Sequence, residues 1–248
     1  MGKVSRFAKH AAALQSTIIQ GLLDYRRRAS QGMSLADRAE RLHFWSSRLL
    51  DRFEIERKVI GPIPPAGMVV SNHLSYLDIP IYSADMPCVF VSKAEVRSWP
   101  LFGMITTMAG TVYVDRTRKS DTRNANDGIR NALQQGLRVM VFPEGTSSDG
   151  SGVLPFYTSL LEPAIETGTP ITAAHLSYRV PDGQVGRDIA YWGDMTFFPH
   201  LLRLLTLGGI SSEVRFGEIS RLYADRKAAA AELREEVLRL ASSAITLA

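Results

Sequence analysis

The 248-residue chain has a single cysteine, Cys88. This excludes an intramolecular disulfide and suits a reducing cytoplasm. Cys88 lies in the apolar run "CVFVSK", so it reads as core rather than nucleophile. No stretch reaches the ~18–20 uninterrupted apolar residues that a membrane-spanning helix needs. The basic start "MGKVSRFAKHAAALQSTIIQGLLDYRRR" does not read as a secretory leader either. Lys9, His10, Gln15 and Gln20 interrupt its apolar part, and no small-residue cleavage site follows. Histidine and cysteine nowhere cluster at ligand spacing, so no metal is expected. Internal repeats are absent, and the only biased segment, "AAAAELREE", reads as a C-terminal helix.

What is present begins with charge. Residues 1–58 hold 12 Lys or Arg against 6 Asp or Glu, a net of +6, while the rest holds 17 against 19, a net of −2. The basic excess coincides with helical periodicity. Val4, Phe7, Ala11, Leu14, Ile18, Leu22 and Tyr25 recur at spacings of three and four, and Arg26 to Arg28 end the stripe. After the break "SQGMS", Ser34 followed by Asp37 resembles an acidic cap opening a second helix over about 35–50. A basic amphipathic pair fits an anionic surface, either a bilayer or a nucleic acid. Nucleic acid is the weaker partner, because no recognition motif accompanies the charge. The same pair also reads as two surface helices docked on a core.

From residue 53 the pattern changes to short β-branched runs: "FEIERKVIG", "GMVVSN", "CVFVSK", "TVYVDR", "RVMVFPE", "PITAAHLSY" and "SEVRFGEIS". Helical stretches are expected between them at about 78–84, 98–108, 120–135 and 156–167. Alternation of this kind implies an α/β fold with a mostly parallel central sheet flanked by helices. The expected organisation is an N-terminal amphipathic helical extension over 1–52, in contact with a membrane surface, and an α/β domain over 53–248.

Such folds keep their chemistry at strand ends. In "VVSNHLSYLDIP" a separation of five places His73 and Asp78 on different faces of a helix and opposite faces of a strand. A strand ending near His73, a turn through 74–77 and a helix starting at Asp78 would let the carboxylate fold back to the imidazole. A histidine so oriented can act as a base, since the carboxylate fixes the tautomer and frees the other ring nitrogen. The same residues also read as a helix start, with Asp78 as N-cap ahead of Pro80. "GTVYVDR" brings Arg116 to another strand end, where its planar fork suits a phosphate. In "RVMVFPEGTSSDG", Gly145 permits close backbone approach to an anion or oxyanion, and Glu144 could bind a hydroxyl or steady another site residue. A simple turn is the alternative there.

Together these segments resemble the glycerolipid acyltransferase family that includes the 1-acylglycerol-3-phosphate acyltransferases. Its Asn-His-x4-Asp block is matched by Asn72, His73 and Asp78, and its Gly-x5-Arg block by Gly110 to Arg116. Its Phe-Pro-Glu-Gly-Thr block is matched by Phe142 to Thr146 without a change. Lys93, Glu95, Pro100 and Gly103 fit the family's intervening Lys-x-Glu and Pro-x-x-Gly. The blocks run in order over about 69–174, less than half the chain.

The resemblance implies that His73, oriented by Asp78, takes the proton from a lysolipid hydroxyl as it attacks an acyl thioester. Acyl-CoA or acyl carrier protein would be the co-substrate, with no cofactor or metal. Arg116, Glu144, Gly145, Thr146 and Asn72 would bind the acceptor, most simply 1-acylglycerol-3-phosphate to give phosphatidic acid. It also implies an enzyme on the cytoplasmic side of the membrane, peripherally bound. Two departures leave the acceptor open. Tyr157 in "LPFYTS" stands where many lysophosphatidate enzymes have a lysine, and no second proline follows Pro170. Another lysolipid such as lyso-ornithine lipid therefore remains an acceptor, and a thioesterase or a non-catalytic lipid-binding protein is a further alternative.

Overall fold

Seven strands make one sheet: β1 (Glu56–Ile60), β2 (Gly67–Ser71), β3 (Val89–Lys93), β4 (Val112–Val114), β5 (Arg138–Val141), β6 (Ile171–Arg179) and β7 (Ser211–Phe216). They come from a computed structural model of the chain, which describes residues 2–99, 102–114 and 119–245, with backbone alone for 119–124, 244 and 245. The order across the sheet is β1-β7-β6-β2-β5-β3-β4. β6, β2, β5, β3 and β4 are mutually parallel; β7 runs antiparallel to β6, and β1 follows β7. All seven expected runs are strands and the sheet is mostly parallel, as the alternation implied.

β2 lies near the middle of the sheet and every one of its residues is buried. Its side chains alternate between two cores. Val69 joins Met140, Ala174 and Leu176 on one face, whereas Met68 and Val70 join Val139, Val141 and Ala173 on the other. Burial on both faces explains why the strand reads as an uninterrupted apolar run.

The α-helices among the described residues are α1 (Lys3–Ala29), α2 (Leu35–Arg52), α3 (Asp78–Asp85), α4 (Phe102–Met108), α5 (Lys119–Gln134), α6 (Glu162–Glu166), α7 (Phe197–Leu204) and α8 (Arg226–Ile245). α5, α6 and α8 cover one face through Ile129, Ala164 and Leu233. α2, α3 and α7 cover the other through Leu50, Ile81 and Leu204. The Ser34 cap is present in full: its hydroxyl accepts from Asp37 N and its N–H donates to the Asp37 carboxylate. Asp24 of α1 accepts from Arg41 Nε at 2.7 Å and Trp45 Nε1 at 3.0 Å, fastening α1 to α2. The pair shares the main core, since Leu50, Phe53 and Ile55 pack with Ile81 and Tyr82, and Leu14 and Leu42 lie against them.

Several elements differ from expectation for local reasons. The helix expected over 156–167 is split into a short turn, Thr158–Leu160, and α6, with Pro163 opening α6 where a missing N–H costs nothing. Of the helix expected over 98–108, α4 covers Phe102–Met108, and residues 100 and 101 lie outside the described residues. α7 was not expected; its first turn tolerates Pro199, and Leu201 and Leu204 turn inward. At the proline-rich elbow, Gly61 has φ +84° and a Cβ there would sit 2.4 Å from Phe216 O, so no other residue fits.

Candidate active site

β2 ends at Ser71, and the next residue continues the pairing with its side chain. Asn72 Oδ1 accepts from Leu176 N at 2.8 Å and Nδ2 donates to Leu176 O at 2.9 Å. The backbone can thereby leave the sheet while staying pinned to β6. Ser71 Oγ donates to Asn72 Oδ1 at 3.0 Å, so the Tyr82 hydroxyl, 2.6 Å away, donates to Ser71. Asn72 is 3% exposed and spends its amide on the protein. This corrects its expected place on the acceptor: it holds the loop that carries His73. Asn72→Ala would leave the buried N–H and C=O of Leu176 unpaired, an expected loss of about 2–4 kcal/mol in urea unfolding.

His73 and Asp78 meet as the turn-then-helix reading required. His73 Nδ1 lies 2.7 Å from Asp78 Oδ2. A carboxylate accepts, so Nδ1 carries the proton and Nε2 is the free base position. The ring stacks on Phe142 at 4.2 Å and 12°, which fixes its second rotational freedom. Asp78 does not cap α3, whose N-cap is Leu77 with no side-chain bond. Its fully buried carboxylate instead turns back to accept from Leu74 N at 2.7 Å and Ser75 N at 3.0 Å. The Tyr178 hydroxyl donates to Oδ1 at 2.8 Å.

Glu144 follows β5 and is 2% exposed. Oε1 accepts from His73 N at 2.9 Å and Oε2 accepts from Leu154 N at 3.1 Å. Of the two roles open to it, steadying a site residue is the one its geometry serves, so its expected contact with the acceptor is corrected. Burial pushes its carboxyl up to about 7, against the pull of those two amides. Ser148 N closes the arrangement from the same loop, donating to His73 O at 2.9 Å.

Gly145 turns the chain at φ +67°, and Gly145, Thr146 and Ser147 line a cavity together with His73. The cavity measures about 680 Å³, within the size range of ligand sites. Its walls are largely apolar and come from α1 and α2 (Ile18, Leu22, Leu42) and from α4 and α7 (Ile105, Leu201). The Gly145 N–H is spent on Phe142 O, whereas the N–H groups of Thr146 and Ser147 have no acceptor among the described residues. Lys93 also lines the cavity, and its side chain has no ion-pair or hydrogen-bond partner among the described residues. Arg116 lies outside the described residues.

Sequence reasoning missed Tyr178, whose only signal was its place in the alternation Ala174, Leu176, Tyr178 on one face of β6. Tyr82, Ser71 and Ser148 were missed too, since none stands out by type or spacing.

Residues 52–177 match the family model described as Acyltransferase. Relatives include the lyso-ornithine lipid O-acyltransferase of Brucella abortus, 38% identical over an alignment of 192 residues covering 72% of this chain and 72% of that one. Another is the 1-acyl-sn-glycerol-3-phosphate acyltransferase of Neisseria gonorrhoeae, 34% identical over 67% of this chain and 66% of that one. The 1-acyl-sn-glycerophosphate acyltransferase of Thermotoga maritima shares the fold with a TM-score of 0.70 at 20% identity, over 96% of this chain and 93% of that one. A family match spanning half the chain, a relative this similar and the same fold make this protein a member of the acyltransferase family and an acyltransferase enzyme.

Proposed function

We propose that the protein transfers an acyl group from a thioester, acyl-CoA or acyl carrier protein, to the free hydroxyl of a lysolipid. The observation that carries this reading is a histidine, paired with a buried carboxylate, set in the wall of an apolar cavity. His73 Nε2 takes the hydroxyl proton as the oxygen attacks the thioester carbonyl, and Asp78 stabilises the imidazolium. The N–H groups of Thr146 and Ser147, without acceptors among the described residues, would serve as donors to the tetrahedral oxyanion. Collapse expels the thiolate, which recovers the proton from His73. The thioester supplies the leaving group, so deprotonation and positioning are the protein's tasks and no cofactor or metal enters the scheme.

For the acceptor we favour lyso-ornithine lipid over 1-acylglycerol-3-phosphate, the first expectation. Tyr157 stands where a phosphate-binding lysine was expected, and the Brucella abortus relative acts on lyso-ornithine lipid. Lys93 supplies one cation in either case, for the phosphate of lysophosphatidate or the carboxylate of lyso-ornithine lipid. The test is acyl transfer from radiolabelled acyl-CoA to both lysolipids in vesicles. Product from lyso-ornithine lipid alone supports the assignment. Product from lysophosphatidate alone reverses it, and label found only in free fatty acid would make the protein a thioesterase.

A lysolipid acceptor brings the enzyme to a membrane surface, in this reading on the cytoplasmic side. No helix among the described residues is long and apolar enough to cross a membrane. α1 and α7, which both wall the cavity, each carry an exposed apolar pair at i and i+4: Ile19 with Leu23, and Phe198 with Leu202. Burying such side chains contributes about 1.5–3 kcal/mol each. The double variant Phe198→Glu, Leu202→Glu is therefore expected to weaken co-sedimentation with anionic vesicles at least about tenfold, leaving the melting temperature unchanged.

A further inference from the structure

We infer that Tyr178 is a positioning residue of the reaction, the third member of a His73–Asp78–Tyr178 chain that sets how tightly the pair holds its proton. The inference rests on the reading of His73 as the base.

The Asp78 carboxylate is crowded on one side only. Asp78 Oδ2 takes three donors: His73 Nδ1 at 2.7 Å, Leu74 N at 2.7 Å and Ser75 N at 3.0 Å. Oδ1 takes a single donor among the described residues, the Tyr178 hydroxyl at 2.8 Å. Asp78 is 0% exposed and Tyr178 is 8% exposed, so bulk water does not replace that bond. Burial, then the charge of Asp78, hold the phenol well above its ordinary range, so it donates at every working pH.

The placement is built rather than incidental. Tyr178 comes from β6, 100 residues after Asp78 in the chain. Its position along that strand is held by Asn72, which grips both the N–H and the C=O of Leu176, two residues earlier on the same face. On the other side β7 pairs Tyr178 with Ser212. Asn72 thus sets the loop of His73 and the strand of Tyr178 against each other with one side chain.

The chemical consequence has a definite sign. A donor on Oδ1 draws negative charge away from Oδ2, so the pair binds a proton less tightly than it would without the hydroxyl. The other titratable groups close to the pair are Tyr82 on α3, Glu144 after β5 and, farther along α3, Asp85. Tyr82 is occupied by Ser71 and Glu144 by the two amides, so neither substitutes for Tyr178 on Oδ1.

The experiment compares wild type with Tyr178→Phe and with site-specific 3,5-difluorotyrosine at 178, which keeps the shape and is the more acidic donor. His73→Ala identifies the His73 signal in a histidine NMR titration of the whole enzyme, and each protein is also assayed for acyl transfer across pH. In Tyr178→Phe the His73 midpoint and the acid limb of kcat/KM are expected to move up by roughly one pH unit, the size set by one hydrogen bond to a charged group. The plateau kcat is expected to fall by no more than about tenfold. With difluorotyrosine both are expected to move down. Midpoints that stay put in both proteins, or that move the same way in both, overturn the inference even if Tyr178→Phe lowers the melting temperature. Should His73→Ala retain full transfer, the reading of His73 as the base fails, and the NMR titration still decides whether Tyr178 tunes the pair.

Discussion

His73→Ala is expected to lower acyl transfer by roughly 10²–10⁴-fold with little change in melting temperature, the range for removal of a general base. The fold should tolerate it because the loop stays pinned by the His73 backbone, bonded to Glu144 and Ser148, and Asp78 keeps the Leu74 N–H, the Ser75 N–H and the Tyr178 hydroxyl as donors. What disappears is the imidazole Nε2 that takes the hydroxyl proton. Asp78→Asn should cost a similar factor for a different reason. An amide oxygen at the Oδ2 position can still accept from the two backbone N–H groups and Nδ1, with its NH₂ turned to the Tyr178 hydroxyl, so what is lost is the negative charge that stabilises the imidazolium. The measurement is single-turnover acyl transfer beside thermal unfolding for each variant. Transfer within tenfold of wild type in His73→Ala, with the protein folded, would remove the base from the mechanism.

Glu144→Gln carries the second large effect, and it appears in two readouts. A glutamine offers one accepting oxygen where Glu144 offers two, so either His73 N or Leu154 N is left buried without a partner. Losing a hydrogen bond to a charged group costs about 1.5–3 kcal/mol. If that falls on the placement of His73, transfer drops by about 10- to 100-fold. The stability readout has the opposite flavour. The folded carboxyl titrates at about 7 and the model-peptide value is 4.5, so the folded state binds this proton more tightly than the unfolded one. Its contribution is fully present below pH 4.5, is lost as pH rises toward 7, and stays lost above. Urea unfolding of wild type should therefore weaken over that window relative to Glu144→Gln, by an upper bound of about 3 kcal/mol. Parallel pH curves for the two proteins would show that the carboxyl is ionised throughout.

The contrast between Glu144 and Gly145 shows how the site works. Neighbours in a single five-residue block, they were expected to share a role on the acceptor. Glu144 points into the protein and holds two loops, while Gly145 turns the backbone so that Thr146 and Ser147 reach the cavity. A motif records which residues are needed and is silent on which way each one faces.

Much of this protein is determined by its sequence alone. The apolar alternation places seven strands, Ser34 with Asp37 starts α2, and the polar residues that interrupt apolar runs at strand ends mark the site, because burying them would otherwise cost free energy. The His73–Asp78 contact was legible in the spacing as one of two readings, the other being Asp78 as a helix cap, and the fold decides for the contact. The rest depended on neighbours that the chain brings together late. β6 lies beside β2, so Asn72 can grip Leu176 and Tyr178 can reach Asp78; β5 lies on the other side, so Glu144 reaches His73 N. The order β6-β2-β5 and its register are set by how the two cores pack across the whole sheet, and a period of two along each strand says nothing about which strand comes next. The reacting pair is therefore local and legible, while the groups that orient it and tune its proton belong to the tertiary structure.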